Sequence, residues 1–335
     1  MTANVTPARP MREIDAASFD DAMLASAEPV VLRGLVRHWP MVAAALAGNA
    51  DAYLRGFYRD ATVNAMLGAP GIDGRFFYND DLSGFNFAPV RVRLDTVLDE
   101  LKKHAASAPA PAIYVGSTTV DTCLPGFRAH NDIDLGARDA LASIWIGNRT
   151  RIAAHYDVPD NIACVAAGRR RFTLFPPGQL RNLYVGPLDF TPAGQAISLV
   201  DVRQPDLQRF PRYAEALANA QVADLGPGDA IFIPSMWWHH VEALDAFNVL
   251  VNYWWRCVPD YMDTPTNAML MALMTIRELP PEQRAAWQEQ FRHYVFEAGA
   301  DTAAHIAPAA RRVLAPLDDD ATRTLRAQLL KKINR

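Results

Sequence analysis

Runs of apolar and alternating residues divide the chain into a long strand-rich part and a shorter helical one. From Pro29 the run PVVLRGLVRHWP reads as a strand entering a turn, and MVAAALAGNADAYLRGF as a helix. The next section, ATVNAMLGAPGIDGRFFYNDDLSGFNF, mixes Gly, Asp and aromatics as short strands joined by tight turns do. RVRLDTVLDELKKHA places Leu94, Val97, Leu98 and Leu101 on one side of an amphipathic helix, and PAPAIYVGST follows as a strand. NIACVAAG and RRRFTLF are two strand-like runs turned at Gly168. After the Gly226-Pro227-Gly228-Asp229 turn, AIFIP, HHVEAL and NVLVNYWW read as three more. Between these groups, 178–223 is a proline-rich connection without clear periodicity, and a connection of that length is usually functional or disordered.

Beyond Arg256 the period changes to that of helices. Asp263-Thr264-Pro265 is a cap with proline at the first helical position, and NAMLMALMTI is apolar nearly all round, the pattern of a helix buried on more than one side. After Pro280-Pro281, Trp287, Phe291, Tyr294 and Val295 form one stripe, and a last helix near 320–333 carries Leu325 and Leu329. The expectation is a mainly β domain with N-terminal α/β elements over 1–260 and a helical region over 261–335. The apolar surface of that region predicts a homodimer.

Composition narrows the function classes. With 335 residues, 50% hydrophobic and 21% charged, the chain can bury a substantial core. A net charge of −4 and a pI near 6.1 give no global basic footprint, which disfavours nucleic acid as a partner. The N-terminal stretch shows no apolar signal core, no run approaches a membrane span, and Cys123, Cys164 and Cys257 are odd in number with no C-x-x-C spacing. These features predict a cytoplasmic protein with reduced thiols.

The stretch that carries chemistry is IAAHYDVPDNIACVAAGRRRFTLFPP, 152–177. If His155 lies on a strand, Asp157 projects from the same face and Tyr156 from the other. An imidazole and a carboxylate, with one distant histidine, make a 2-His-1-carboxylate triad, which leaves positions open on Fe(II) for a co-substrate and O2. H-x-D alone is weak: His130-Asn131-Asp132 is a second instance, and its loop composition reads as solvated polar residues. Of the adjacent histidines, His239 shares a face with Val241 and Ala243, and His240 one with Glu242, so parity favours His239 as the inward ligand. Lys102, Lys103, Lys331 and Lys332 all lie outside the predicted strands of the site, so a cation facing the metal must be an arginine. Arg170 shares a face with Phe172 and Leu174 and is the candidate, with Arg171 second; the competing reading of Arg169-Arg170-Arg171 is a solvated charge run. A guanidinium on an inward face needs a carboxylate partner.

The ordered motifs HYD, DNIACVAAGRRRFTLFPP, GDAIFIPSMWWHHVEAL and VNYWW resemble those of the JmjC-type, cupin-like iron(II) and 2-oxoglutarate oxygenases, in particular the subgroup around the asparaginyl hydroxylase that inhibits hypoxia-inducible factor. The resemblance implies a double-stranded β-helix of cupin or jelly-roll type, followed by a helical region that fits the subgroup's dimerisation segment. It places His155, Asp157 and His239 on the iron ligands. Arg170 falls where the family has a lysine that pairs with the far carboxylate of 2-oxoglutarate, Tyr114 on a tyrosine that helps hold that group, and Asn161 and Asn252 on amides lining the co-substrate site. Ile152 stands where a threonine is common. The implied reaction couples oxidative decarboxylation of 2-oxoglutarate to hydroxylation of an unactivated C–H bond, of a protein side chain or a small molecule. The competing classes are a metal-dependent cupin enzyme that uses no oxoacid and a non-catalytic binding module. Trp237, Trp238, Trp254 and Trp255 read as core, and 73–92 and 119–138 as walls of the site entrance.

Overall fold

The computed structural model describes residues 8–15, 19–192 and 194–334. The chain divides into two compact units, Met1–Arg256 and Cys257–Arg335, so the division falls ahead of the residue 260 expected from the sequence.

The first unit, the mainly β domain that the strand pattern predicted, is built on two mixed sheets. The larger runs in the order Glu13–Asp15, Val30–Arg33, Ala230–Ile233, Asp160–Ala167, Asn248–Trp255, Leu141–Gly147, Ala112–Thr119, Thr62–Gly68, Phe87–Arg93. The smaller runs Arg9–Pro10, Gln221–Leu225, Arg170–Phe175, Trp238–Ala243, Arg151–His155, Arg75–Phe76. Period-two alternation explains why the inner strands are apolar on both faces. In Asp160–Ala167, Ile162, Cys164 and Ala166 pack into one core, and Ala163 and Val165 into another. The first core lies under helices Pro40–Leu46, Ala50–Phe57 and Leu94–Lys103, whose Met41, Leu54, Leu94, Val97, Leu98 and Leu101 all enter it. Each such leucine contributes about 1.5–3 kcal/mol by leaving water. The second core joins the sheets face to face through Phe172, Leu174 and Val241 of the smaller one and Ile231, Ile233 and Leu250 of the larger.

The turn at Gly168 is set by sterics. Its φ is +69°, and a Cβ there would collide with the Asn248 side chain and the Phe247 carbonyl, so only glycine closes this hairpin.

Four expectations change. The helix read over MVAAALAGNADAYLRGF is two, because Gly48 takes φ +76° and ends the first. Of the two alternatives for the connection 178–223, functional or disordered, the second falls: it is ordered, with Leu183, Val200, Tyr213, Ala216 and Ala220 packing with Phe175 and Trp238 in a core of their own, while Ile197 lines a cavity between the sheets. Asn131 is not solvated but fully buried, where it accepts from the Met41 N–H at the start of Pro40–Leu46. The segment 119–138 builds the helical core through Val120, Leu124 and Phe127 instead of an entrance wall.

The second unit contains Pro265–Thr275, capped by Thr264 with Pro265 at its first position, then Pro281–Phe291 and Asp319–Ile333. Contrary to the burial expected of NAMLMALMTI, no residue of Pro265–Thr275 is buried. Among the described residues of this unit only Ala303 and Thr322 are. A few short helices do not supply enough facing surface to cover one another's apolar sides. No helix among the described residues is long and apolar enough to cross a membrane.

Candidate metal centre

A cavity of about 540 Å³ opens between the two sheets. The smaller sheet lines it with Ile152, His155, Arg170, Phe172, His239 and Val241, and the larger with Tyr114, Trp145, Asn161, Leu250, Asn252 and Trp254.

Strand register brings the two histidines together. His239 pairs directly with His155 across antiparallel strands, which puts their ring centroids 4.3 Å apart. His155 ends its strand, and Asp157 lies beyond it in the following turn, so the shared-strand geometry expected for H-x-D is replaced by a turn. That turn is pinned from the opposite side of the chain: the Met236 N–H donates to the Asp157 carbonyl at 2.9 Å, and the Ser235 N–H to Asp160 Oδ1 at 2.9 Å. One ligand atom from each of His155, Asp157 and His239 lies within 4.8 Å of the others.

The ring orientations follow from hydrogen bonding. His155 Nδ1 lies 2.9 Å from the Ala153 carbonyl and His239 Nδ1 3.0 Å from the Trp237 carbonyl. A carbonyl only accepts, so each Nδ1 carries the proton and each Nε2 keeps a free lone pair for a metal. Burial, and then the neighbouring His155, pull His239 down to about 4, which keeps its imidazole neutral and able to ligate. Asp157 Oδ2 accepts from Trp254 Nε1 at 3.0 Å and from Asn161 Nδ2 at 3.3 Å. His240 points away from the cavity: its Nε2 meets Glu242 Oε1 at 3.2 Å, and Glu242 is held in turn by Arg203.

The three arginines separate by parity. Arg169 and Arg171 are exposed and bind Asp245 and Asp224 through paired hydrogen bonds. Arg170 is 2% exposed, has no ion-pair partner among the described residues, and its Nε is a buried donor without an acceptor. Desolvation pulls its guanidinium down to about 10. Beside it, burial pushes the Tyr114 hydroxyl up, with the Arg170 charge opposing, so the phenol stays a neutral donor. The pair forms a cationic, hydrogen-bond-donating cradle inside an otherwise apolar wall of Phe76, Ile152, Ile197 and Leu250.

Three tryptophans are core as expected, whereas Trp254 lines the cavity and binds the Asp157 carboxylate. Parity could have found it, since Leu250, Asn252 and Trp254 share a face of Asn248–Trp255. Of the two segments read as entrance walls, 73–92 contributes Phe76 to the lining and 119–138 contributes nothing among the described residues.

The sequence matches the family described as a cupin-like domain over residues 16–261. The chain belongs to the cupin-like family. Similar proteins include lysine-specific demethylase 8 of Xenopus tropicalis, 28% identical over 240 residues that span 71% of this chain and 50% of that protein. Lysine-specific demethylase JMJ31 of Arabidopsis thaliana is 36% identical over 135 residues, 37% of this chain and 24% of that one. The tRNA wybutosine-synthesizing protein 5 of Gallus gallus is 34% identical over 145 residues, 39% of this chain and 42% of that one. The JmjC-type likeness carried by the motifs agrees with these relatives. The cupin-like chain matches half of their length or less.

Proposed function

We propose that this cupin-like protein is an Fe(II)- and 2-oxoglutarate-dependent oxygenase that hydroxylates an unactivated C–H bond. The observation that carries the reading is Arg170, a buried guanidinium with no anion beside it among the described residues, lining the same cavity as a His-Asp-His cluster. Burying an uncompensated charge costs several kcal/mol. A dicarboxylate that chelates a metal at one end and meets Arg170 at the other supplies the missing anion. A cupin using a metal without an oxoacid has no need of that cation, and a vestigial binding module has no reason to keep three oriented ligands beside it.

The residues fit the groups they would hold. His155, Asp157 and His239 offer two neutral imidazoles and a carboxylate, a set that leaves positions open and suits Fe(II). Bound iron supplies the activation of O2, and 2-oxoglutarate the electrons that accompany it. The protein supplies placement. Arg170 and Tyr114 bind the far carboxylate, and the planar guanidinium, with its fork of donors, compensates for the hydroxyl that Ile152 lacks. Asn161 and Asn252 line the near end, and Phe76, Ile197 and Leu250 keep water from the reacting carbon. No side chain is required as a general base.

The substrate we propose is a protein side chain or a small molecule. Support comes from the net charge of −4 and from arginines such as Arg75, Arg151 and Arg203, which are engaged by Asp201, Asp73 and Glu242 instead of being free for phosphates. The relatives named for lysine demethylation and for wybutosine synthesis on tRNA favour an enzyme over a binding module. Free Cys123, Cys164 and Cys257 suit the reducing cytoplasm.

The deciding experiment is anaerobic. Adding 2-oxoglutarate to Fe(II)-loaded protein is expected to produce a visible metal-to-ligand charge-transfer band that needs both components. Bound iron with no band on adding 2-oxoglutarate would remove the co-substrate assignment.

We also propose a homodimer through the C-terminal helices, supported by the exposure of Met274, Trp287, Val295, Phe296 and Leu330 in a unit with almost no interior. Sedimentation is expected to give twice the chain mass, with Phe296→Asp shifting it toward the monomer. A monomer mass at every concentration would contradict this.

A further inference from the structure

Hydrogen-bonding chemistry forces one direction on a row of side chains that ends at the Asp157 carboxylate. The Trp145 indole N–H can only donate, and it donates to Asn252 Oδ1 at 2.7 Å. That fixes the Asn252 amide, whose Nδ2 donates to Asn161 Oδ1 at 3.3 Å. Asn161 then presents its own Nδ2 to Asp157 Oδ2 at 3.3 Å, and a carboxylate oxygen accepts. With a donor-only group at one end and an acceptor at the other, turning either amide over breaks two links at once. Asn252 and Asn161 are 1% and 5% exposed, so little of either amide is left for other partners.

We infer that Trp145 is a positioning residue for the metal centre, acting on Asp157 through Asn252 and Asn161. The row fixes the rotation of the carboxylate and polarises each successive amide toward it. Trp254 donates to the same oxygen directly, so Oδ2 is held from two sides. The Trp145 ring also stacks on Tyr114 with centroids 5.8 Å apart and meets Trp254 edge-on at 5.8 Å. One indole thereby touches the Arg170–Tyr114 cradle and governs a metal ligand. None of the four residues in the row is close to another in sequence except Asn161 and Asp157; sheet register brings Trp145, Asn252 and Asn161 together, with Asn252 opposite Ser143 on one side and Ala163 on the other, and the turn after His155 adds Asp157.

This inference rests on the metal reading of His155, Asp157 and His239, and its test separates the two. Mn(II) affinity of the full chain is measured by titration without 2-oxoglutarate, for the wild type, Trp145→Phe, Asn252→Leu and the double variant. Trp145→Phe removes the donor and retains a smaller aromatic ring on the Tyr114 side. Each single variant is expected to weaken Mn(II) about tenfold, the lower end for a residue that orients a metal ligand. The double variant is expected to lose no more than either single one, because both cut the same row. Absorption of the Co(II)-substituted protein should change in both singles, reporting an altered ligand field that a distant packing defect would not produce. Unchanged Mn(II) affinity in Trp145→Phe, or losses that multiply in the double variant, would overturn the row as a positioning device while leaving the metal centre in place. A wild-type chain that binds no Mn(II) would remove the centre and the row together. Should Trp145→Phe fail to fold, Asn252→Leu alone still decides through its Mn(II) affinity and Co(II) spectrum.

Discussion

Arg170→Met protein is expected to melt at a higher temperature than the wild type in the absence of ligand, and to gain nothing from 2-oxoglutarate. The argument starts from burial. Arg170 is 2% exposed and has no ion-pair partner among the described residues, so the folded chain carries its desolvation without a compensating anion. Replacing a buried charge by an apolar side chain of similar length is worth about 1–4 kcal/mol when the packing is kept. For a domain of this size each kcal/mol moves the midpoint by about 2–4 °C. Function moves the opposite way. Removing one partner of a buried arginine–carboxylate pair costs about 3–5 kcal/mol, a factor of roughly 10² to several times 10³ in co-substrate affinity. In the wild type, Mn(II)-loaded protein with 2-oxoglutarate at about a thousand times its dissociation constant is expected to gain about 4.1 kcal/mol. The order of the two proteins therefore reverses on adding the oxoacid. Thermal melts with and without ligand check both halves, and a variant that melts lower and keeps its ligand shift would show that the guanidinium serves the fold and not the co-substrate.

His239→Ala is expected to abolish metal binding, while His240→Ala is expected to keep it. The two residues are neighbours in sequence, yet the strand sends His239 into the cavity and His240 to the outer face, where it meets Glu242. Free energies of about 10–16 kcal/mol for four-ligand protein metal sites imply roughly 3 kcal/mol for each ligand, so deleting His239 should weaken metal binding at least a hundredfold. Turnover should fall to background with it. His240→Ala should instead cost stability, because Glu242, drawn down to about 2 chiefly by the hydrogen bond with His240, is left buried beside Arg203 alone. Metal titrations of both variants are the measurement. Equal loss in the two would mean that the strand does not discriminate between them.

What could be read in the sequence was what depends on parity and period. Leu94, Val97, Leu98 and Leu101 declare a helix face, and all four are buried. Arg170 separates from Arg169 and Arg171, and His239 from His240, because a strand has only two faces. What could not be read depends on contacts made across the chain. Asp157 owes its place to a turn held by Met236, and one of the hydrogen bonds on its carboxylate comes from a tryptophan 97 residues away. Asn131 looked like a loop residue because nothing local reveals that a helix N-terminus 90 residues earlier needs its side chain. The break at Gly48 was masked by alanines that favour helix on either side of it.

The pairing of His155 with His239 has a consequence for how the protein reaches its working form. In an antiparallel ladder a slip of one residue turns every side chain of a strand over, so a misregistered Trp238–Ala243 would offer His240 to the cavity and bury His239 on the wrong side. Such a molecule would keep its strand content and its two sheets, yet its ligand set would be scrambled. On the proposed reading, a metal bound by His155, Asp157 and His239 would act as a proofreader of the strands around it: affinity for the ion would be conferred only on chains whose strands have aligned correctly, and the ion would draw the population toward them.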